Sequence, residues 1–202
     1  MFDILVSFCF SYLIGSIPTA YLVVKKTASV DIRSVGSGNV GGRNALEVTG
    51  KKSVGIFVVA IDVLKGALAV LFSYLCFPNN VLAVSTAMSG VVIGHCYPVW
   101  LRFKGGRGLA TTAGVFLIIY WLWIVVWLAI YFAVVKIIKN VHRASVIALL
   151  GAPIFVALLP KEMVMNDAPH FFTYEEFLIS GSLLMLICLT RHIQPLIDKA
   201  NL

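Results

Sequence analysis

Long apolar runs, separated by charged residues or by Gly and Pro, fall at about 3–24, 53–77, 80–100, 108–119, 121–140, 145–159 and 175–190. Runs of this length and density are helices solvated by lipid, so the pattern predicts an all-α, polytopic membrane bundle of about seven transmembrane helices. Several of the runs are short. The group Trp121, Trp123 and Trp127 reads as an aromatic belt at the interfacial turn between the fourth and fifth. The first run has no basic segment before it and no small-residue cleavage site after it, so it is expected to be a retained span and not a signal peptide.

Composition agrees with the pattern. The 202 residues are 60% hydrophobic and 12% charged, against about 25% charged in a soluble domain, and the mean hydropathy is +0.96. No polar stretch is long enough for a separate soluble unit, so residues 1–202 read as one membrane domain. The net charge of +7 does not point to nucleic acid, because the cations are dispersed among apolar spans and form no basic domain with stacking aromatics. Cys9, Cys76, Cys96 and Cys188 are far apart with no C-x-x-C spacing, so buried free thiols are expected.

The distribution of charge gives an orientation. Every Lys and Arg except Lys65 and Lys161 falls in one of four segments: 25–52, 102–107, 136–143 and the tail from Arg191. Seven spans put these segments on one side, and the positive-inside rule makes that side cytoplasmic, with the N-terminus outside and the C-terminus cytoplasmic. The opposite side collects Asp3, Glu162, Asp167, Glu175 and Glu176. Asp62 and Lys65 stand three apart inside the second span, where each alone costs about 2.5–3.5 kcal/mol. Their spacing predicts a pair that snorkels or braces neighbouring loops.

Each basic segment carries small polar residues that suit an anion. Arg102-Phe103-Lys104-Gly105-Gly106-Arg107-Gly108 combines three cations with three glycines, a composition that lets backbone N–H groups approach a phosphate closely. Gly36-Ser37-Gly38-Asn39-Val40-Gly41-Gly42-Arg43-Asn44 describes a second N–H-rich loop that leads into a helix, whose N-terminal dipole also favours an anion. His95 and Pro98 precede the Gly-rich turn. His142-Arg143-Ala144-Ser145 and Arg191-His192 complete the set, Ser145 either capping a helix or binding substrate. A histidine's ordinary pKa of about 6.5 suits His192 to act as a base. No G-x-x-x-x-G-K-[ST] loop is present, so nucleotide hydrolysis has no support. All four pieces face one compartment, which predicts a single site.

In this order the pieces resemble the bacterial membrane acyltransferases that use acyl phosphate to acylate sn-glycerol 3-phosphate. The resemblance runs through Gly15-Ser16-Ile17-Pro18, Asp31-Ile32-Arg33, Gly36-Ser37-Gly38-Asn39, Asp62-Val63-Leu64-Lys65-Gly66, Gly94-His95, Pro98, Phe103-Lys104-Gly105-Gly106, Ser145 and Arg191-His192. It implies a seven-helix fold in the bacterial inner membrane, a cytoplasmic active site, and lysophosphatidic acid as the product that begins phospholipid synthesis. It also implies acyl phosphate and glycerol 3-phosphate as partners, with no metal and no coenzyme A. On this resemblance Lys104, Ser37 and His192 are the catalytic candidates. Gly36, Gly38, Asn39, Arg43, Asn44, His95, Gly105, Gly106, Arg107, Ser145 and Arg191 are the substrate-binding candidates.

The sequence departs from the family pattern in two motifs. The pattern Asn-x-Gly-Ala-Thr-Asn-x-x-Arg reads Asn39-Val40-Gly41-Gly42-Arg43-Asn44-Ala45-Leu46-Glu47, with Glu47 where the substrate-binding Arg is expected. Positions 43 and 47 share a helix face, so the guanidinium is expected to have moved by one turn, with Glu47 orienting it. At the end, Arg-His-x-x-Asn reads Arg191-His192-Ile193-Gln194-Pro195, with Gln194 as the available amide. These departures leave open a relative that acylates another polyol phosphate. A transporter for an anionic metabolite is the non-enzymatic alternative, although few charges lie at mid-depth, where such sites are built.

Overall fold

The computed structural model describes residues 1–166 and 168–200, with side chains described as far as Gln194. Asp167, expected on the acidic side, and the side chains of Pro195 and Lys199 lie outside the described residues. The chain forms α1 (Phe2–Ser16), α2 (Thr19–Ala28), α3 (Gly42–Thr49), α4 (Lys52–Cys76), α5 (Val81–Cys96), α6 (Leu109–Ile119), α7 (Leu122–Ile138), α8 (Val141–Leu158), α9 (Lys161–Met165) and α10 (Tyr174–Ala200). Among the described residues there is no strand. Five helical segments are long and apolar enough to cross a membrane, and α6 and α7 are shorter apolar helices. Each of the seven predicted runs is helical.

The first run is not continuous. Pro18 has no N–H to donate and disfavours helical backbone at the residue before it. Ile17 accordingly adopts ψ 113, and the helix restarts at Thr19. This break lies inside the bundle, because α1 packs closely on α5. A methyl group on Gly15 would run into the Val91 carbonyl, and one on Gly94 into the Tyr12 carbonyl. α4 and α6 meet in the same way, Gly66 against the Thr111 carbonyl and Gly114 against the Val63 carbonyl. Small residues let helices in lipid gain dispersion contacts where no hydrophobic drive exists between them. They also fix α4 and α5 beside the start of α6, where the Gly-rich turn ends.

Two expectations are corrected by the packing. Trp123 is fully buried and stacked on Phe116 at a centroid distance of 5.4 Å, so it is a core residue and does not belong to an interfacial belt. Only Trp121 of the three is exposed, at 53%. All four cysteines are free, as expected, but only Cys96 and Cys188 are buried, while Cys9 and Cys76 lie on the outer surface.

A second, smaller core anchors the 25–52 segment. Val24, Ile32, Ala45 and Val58 are fully buried together and hold α2, α3 and α4 against one another. At its edge Asp31 accepts the Arg33 N–H at 2.9 Å and the Arg33 guanidinium through both carboxylate oxygens. That pairing lowers the Asp31 pKa from 3.8 to about 2 and raises that of Arg33.

Candidate active site

The first loop is shaped by Asn44. Its side chain is buried at the start of α3; Nδ2 donates to the carbonyls of Ile32, Val35 and Asn39 at 3.0–3.2 Å, and Oδ1 accepts the Ser37 N–H at 3.0 Å. Asn44 therefore holds the loop through its side-chain amide. Gly36 and Gly38 have φ +60 and +68, the left-handed backbone that lets the chain fold around that amide. The Ser37 side chain is exposed and has no protein partner among the described residues. Arg43 extends from α3 and pairs with Glu47 at 2.9 Å, one helical turn on, as its spacing predicts.

The Gly-rich turn is locked from two sides. The Gly105 N–H donates to the Cys96 carbonyl at 3.2 Å and the Gly106 N–H to the His95 carbonyl at 3.0 Å. Arg191, from α10, donates to the Gly105 carbonyl at 3.1 Å and the Gly106 carbonyl at 3.3 Å, and its guanidinium lies 5.4 Å from the centroid of the Tyr97 ring. The N–H groups of Gly105 and Gly106 thus bond to carbonyls of α5. The N–H groups of Arg107 and Gly108, by contrast, meet no carbonyl among the described residues. They lead into the first turn of α6, whose amide dipoles favour negative charge. Lys104 is exposed beside them.

Gly106 is where the pieces meet. A methyl group there would collide with the His95 ring and lie 2.7 Å from the Val40 carbonyl of the first loop. One residue on, Arg107 Nη1 is 3.3 Å from His142 Nδ1 on α8. Burial, together with the nearby Arg191 and Arg43, pushes the Arg107 guanidinium below its usual range. All four basic segments therefore meet around Arg107, through Arg43, His142 and Arg191. His192 is buried, with Nδ1 2.9 Å from the Cys188 carbonyl. A carbonyl only accepts, so the neutral ring carries its proton on Nδ1 and keeps a lone pair on Nε2. Ser145 donates back to the Val141 carbonyl at 2.8 Å, and the capping of α8 falls to Asn140, which accepts the Arg143 N–H at 3.0 Å.

Below the turn lies a polar group that the sequence shows only as isolated residues. Asp62 and Lys65 do not snorkel: they are 3% and 5% exposed, with Nζ 2.8 Å from Oδ1. Lys65 also donates to the Ile17 carbonyl at 2.6 Å, at the break in the first span. The same Asp62 oxygen lies 3.7 Å from His95 Nδ1. Ser16 and Thr19 offer buried hydroxyls, without protein partners among the described residues, to a small pocket of about 10 Å³ shared with Asp62, His95, Gly105 and Gly106. The signals for this group were the Gly-Ser-x-Pro interruption of an apolar run and an acid and a base three apart within another.

A sequence profile described as glycerol-3-phosphate acyltransferase matches residues 5–199. The chain belongs to this family. A glycerol-3-phosphate acyltransferase of Bartonella henselae is 40% identical over 151 residues, which cover 74% of this chain and 71% of that protein. One of Prochlorococcus marinus is 35% identical over 183 residues, covering 91% of this chain and 87% of that protein. The crystal structure of PlsY, an integral membrane glycerol 3-phosphate acyltransferase, in its glycerol 3-phosphate form matches with a TM-score of 0.77 at 27% identity, covering 98% of this chain and 91% of that one. The acyltransferase family and its membrane bundle, expected from the order of the motifs, are thus both found.

Proposed function

We propose that the chain transfers a fatty acyl group from acyl phosphate to sn-glycerol 3-phosphate, giving lysophosphatidic acid and inorganic phosphate, at the cytoplasmic face of a bacterial inner membrane. The observation that carries this reading is the convergence of all four basic segments around Gly106, with Arg107 held among Arg43, Arg191 and His142. A surplus of cations at one end of an apolar bundle suits two phosphate groups and leaves an acyl tail in lipid. The positive-inside rule supports placing the N-terminus outside and the C-terminus in the cytoplasm.

The chemistry asks little of the protein beyond placement. The acceptor hydroxyl oxygen bonds to the carbonyl carbon of the mixed anhydride, the bond from that carbon to the phosphate oxygen breaks, and phosphate departs with the electron pair. His192 Nε2 takes the hydroxyl proton. Lys104, Arg107 and the first N–H groups of α6 hold the donor phosphate and the developing oxyanion. Ser37, Asn39 and Arg43 hold the acceptor, with Glu47 orienting Arg43. An acyl phosphate is already activated, so the reaction needs neither a metal nor coenzyme A. The test is to incubate purified protein with acyl phosphate and glycerol 3-phosphate, with and without a chelator, and to identify the lipid by mass. Lysophosphatidic acid at an undiminished rate in chelator is the expected result, and its absence overturns the reading.

The Arg43–Glu47 pair, standing where the family pattern has Thr and Arg, motivates one variant of this reading, another polyol phosphate as acceptor. Competition between acceptors in the same assay separates the two.

A further inference from the structure

We propose that Asp62, Lys65 and His95 form a positioning device for the Gly-rich turn, so that a charge pair inside the membrane bundle sets the register of the phosphate-binding groups above it. The inference rests on the reading of that turn as the acyl-phosphate site. Three contacts build it. The His95 carbonyl accepts the Gly106 N–H at 3.0 Å, and the His95 ring fills the space that a side chain at position 106 would need. Asp62 stands 3.7 Å from the other face of this connection, at His95 Nδ1. Lys65 binds the same carboxylate oxygen at 2.8 Å and the Ile17 carbonyl at 2.6 Å.

The arrangement joins three elements that are far apart in sequence: the break between α1 and α2, the middle of α4, and the end of α5. It closes on itself electrically, because the buried carboxylate has the buried ammonium beside it and no charge remains for a substrate. Among the described contacts it reaches toward the cationic surface through His95 to Gly106. The next residue, Arg107, then inherits its placement, as do the free N–H groups that begin α6. A buried ion pair is a poor source of stability against an apolar replacement, since desolvation offsets most of the attraction. Its value here is that two fixed charges hold one imidazole and one carbonyl in place.

The experiment uses the full chain, purified, with kcat and KM measured for each substrate separately. Removing both charges together, in Asp62→Asn with Lys65→Met, avoids leaving one of them unpaired. The double variant is expected to remain monodisperse and to lose about 100-fold in kcat/KM for acyl phosphate, the scale of a displacement of about 1 Å at a reacting group. Its KM for glycerol 3-phosphate is expected to stay within about threefold, less than a single charge-assisted contact is worth. A folded double variant with wild-type kcat/KM overturns the proposal and leaves the pair as charge balance within a helix.

Should the double variant not fold, His95 decides the matter. His95→Ala is expected to show the same selective loss, and His95→Gln, which returns a side-chain donor to Asp62, to recover about tenfold of it. Equal activity of His95→Ala and wild type overturns the proposal. Lys104→Ala separates this failure from that of the underlying reading: an inactive Lys104→Ala beside an active His95→Ala removes only the positioning role, whereas a fully active Lys104→Ala removes the acyl-phosphate site and the proposal with it.

Discussion

The two polar groups that meet at Gly106 are built on opposite principles. Beneath it, Asp62 and Lys65 are buried, matched in charge and bonded to fixed partners. Above it, Lys104 is exposed, Arg107 is crowded by Arg43 and Arg191, and Ser37 has a hydroxyl without a protein partner among the described residues. Inside a low-dielectric bundle an unmatched charge is expensive, so the lower group is neutral and closed. At the aqueous edge a surplus of cations is tolerated until an anion arrives, so the upper group can remain open. The contrast supports the proposed division, with the lower group serving geometry and the upper group serving ligand.

Breaking the lower group from one side tests this most severely. Asp62→Ala leaves Lys65 buried and unpaired, and is expected to destabilise the folded protein by about 3–5 kcal/mol, seen as a large fall in the unfolding midpoint in detergent. An unchanged midpoint would mean that water reaches the ammonium. In the upper group, Lys104→Ala should leave stability intact and lower acyl-phosphate turnover about 100–1000-fold, as removal of an oxyanion donor does. His192→Ala is expected to lower kcat about 100-fold and to change the shape of the pH–rate profile, the mark of a lost general base. A profile that keeps its shape would reduce His192 to a brace for the Cys188 carbonyl.

Smaller effects sharpen the comparison. Arg43→Glu should raise the KM for glycerol 3-phosphate by about tenfold or more with little change for acyl phosphate, since a contact to a charged group is worth about 1.5–3 kcal/mol. An unchanged KM would return the acceptor site to another residue. The Asp31–Arg33 pair provides the mildest case. The folded state holds the Asp31 pKa near 2 against an ordinary 3.8, so its contribution is complete above about pH 4 and is lost as pH falls toward 2. Both side chains are about one-third exposed, which keeps the contribution below about 1 kcal/mol. Comparison of Asp31→Asn with wild type, unfolded at pH 6 and at pH 2, should show a difference at the first pH only.

The sequence made the spans legible because lipid solvation demands long apolar runs whatever the tertiary contacts. It made the four basic segments legible because cations rarely cluster in a membrane protein without cause. What it could not show is which atoms are already committed. Asn44, Gly105 and Gly106 have the right chemistry for substrate, but backbone carbonyls take the Asn44 amide and the two glycine N–H groups, bonds that depend on the folded chain and leave no mark in the sequence. The same holds for Trp123, whose position suited an interface until Phe116 and Phe177 were seen packed around it. Asp62 and Lys65 were legible as a pair from their spacing, whereas their links to Ile17 and His95 cross between helices and leave no local signature.

Among the described residues the Asn44 side chain bonds to backbone atoms of residues 32 to 39, so the frame of that loop is held from within and not by its exposed side chains. Exposed side chains such as Ser37 take no part in that frame. On the proposed reading, recognition of a different polyol headgroup is therefore within reach of changes at Ser37, Arg43 and Glu47, with the proposed acyl-donor site left as it is.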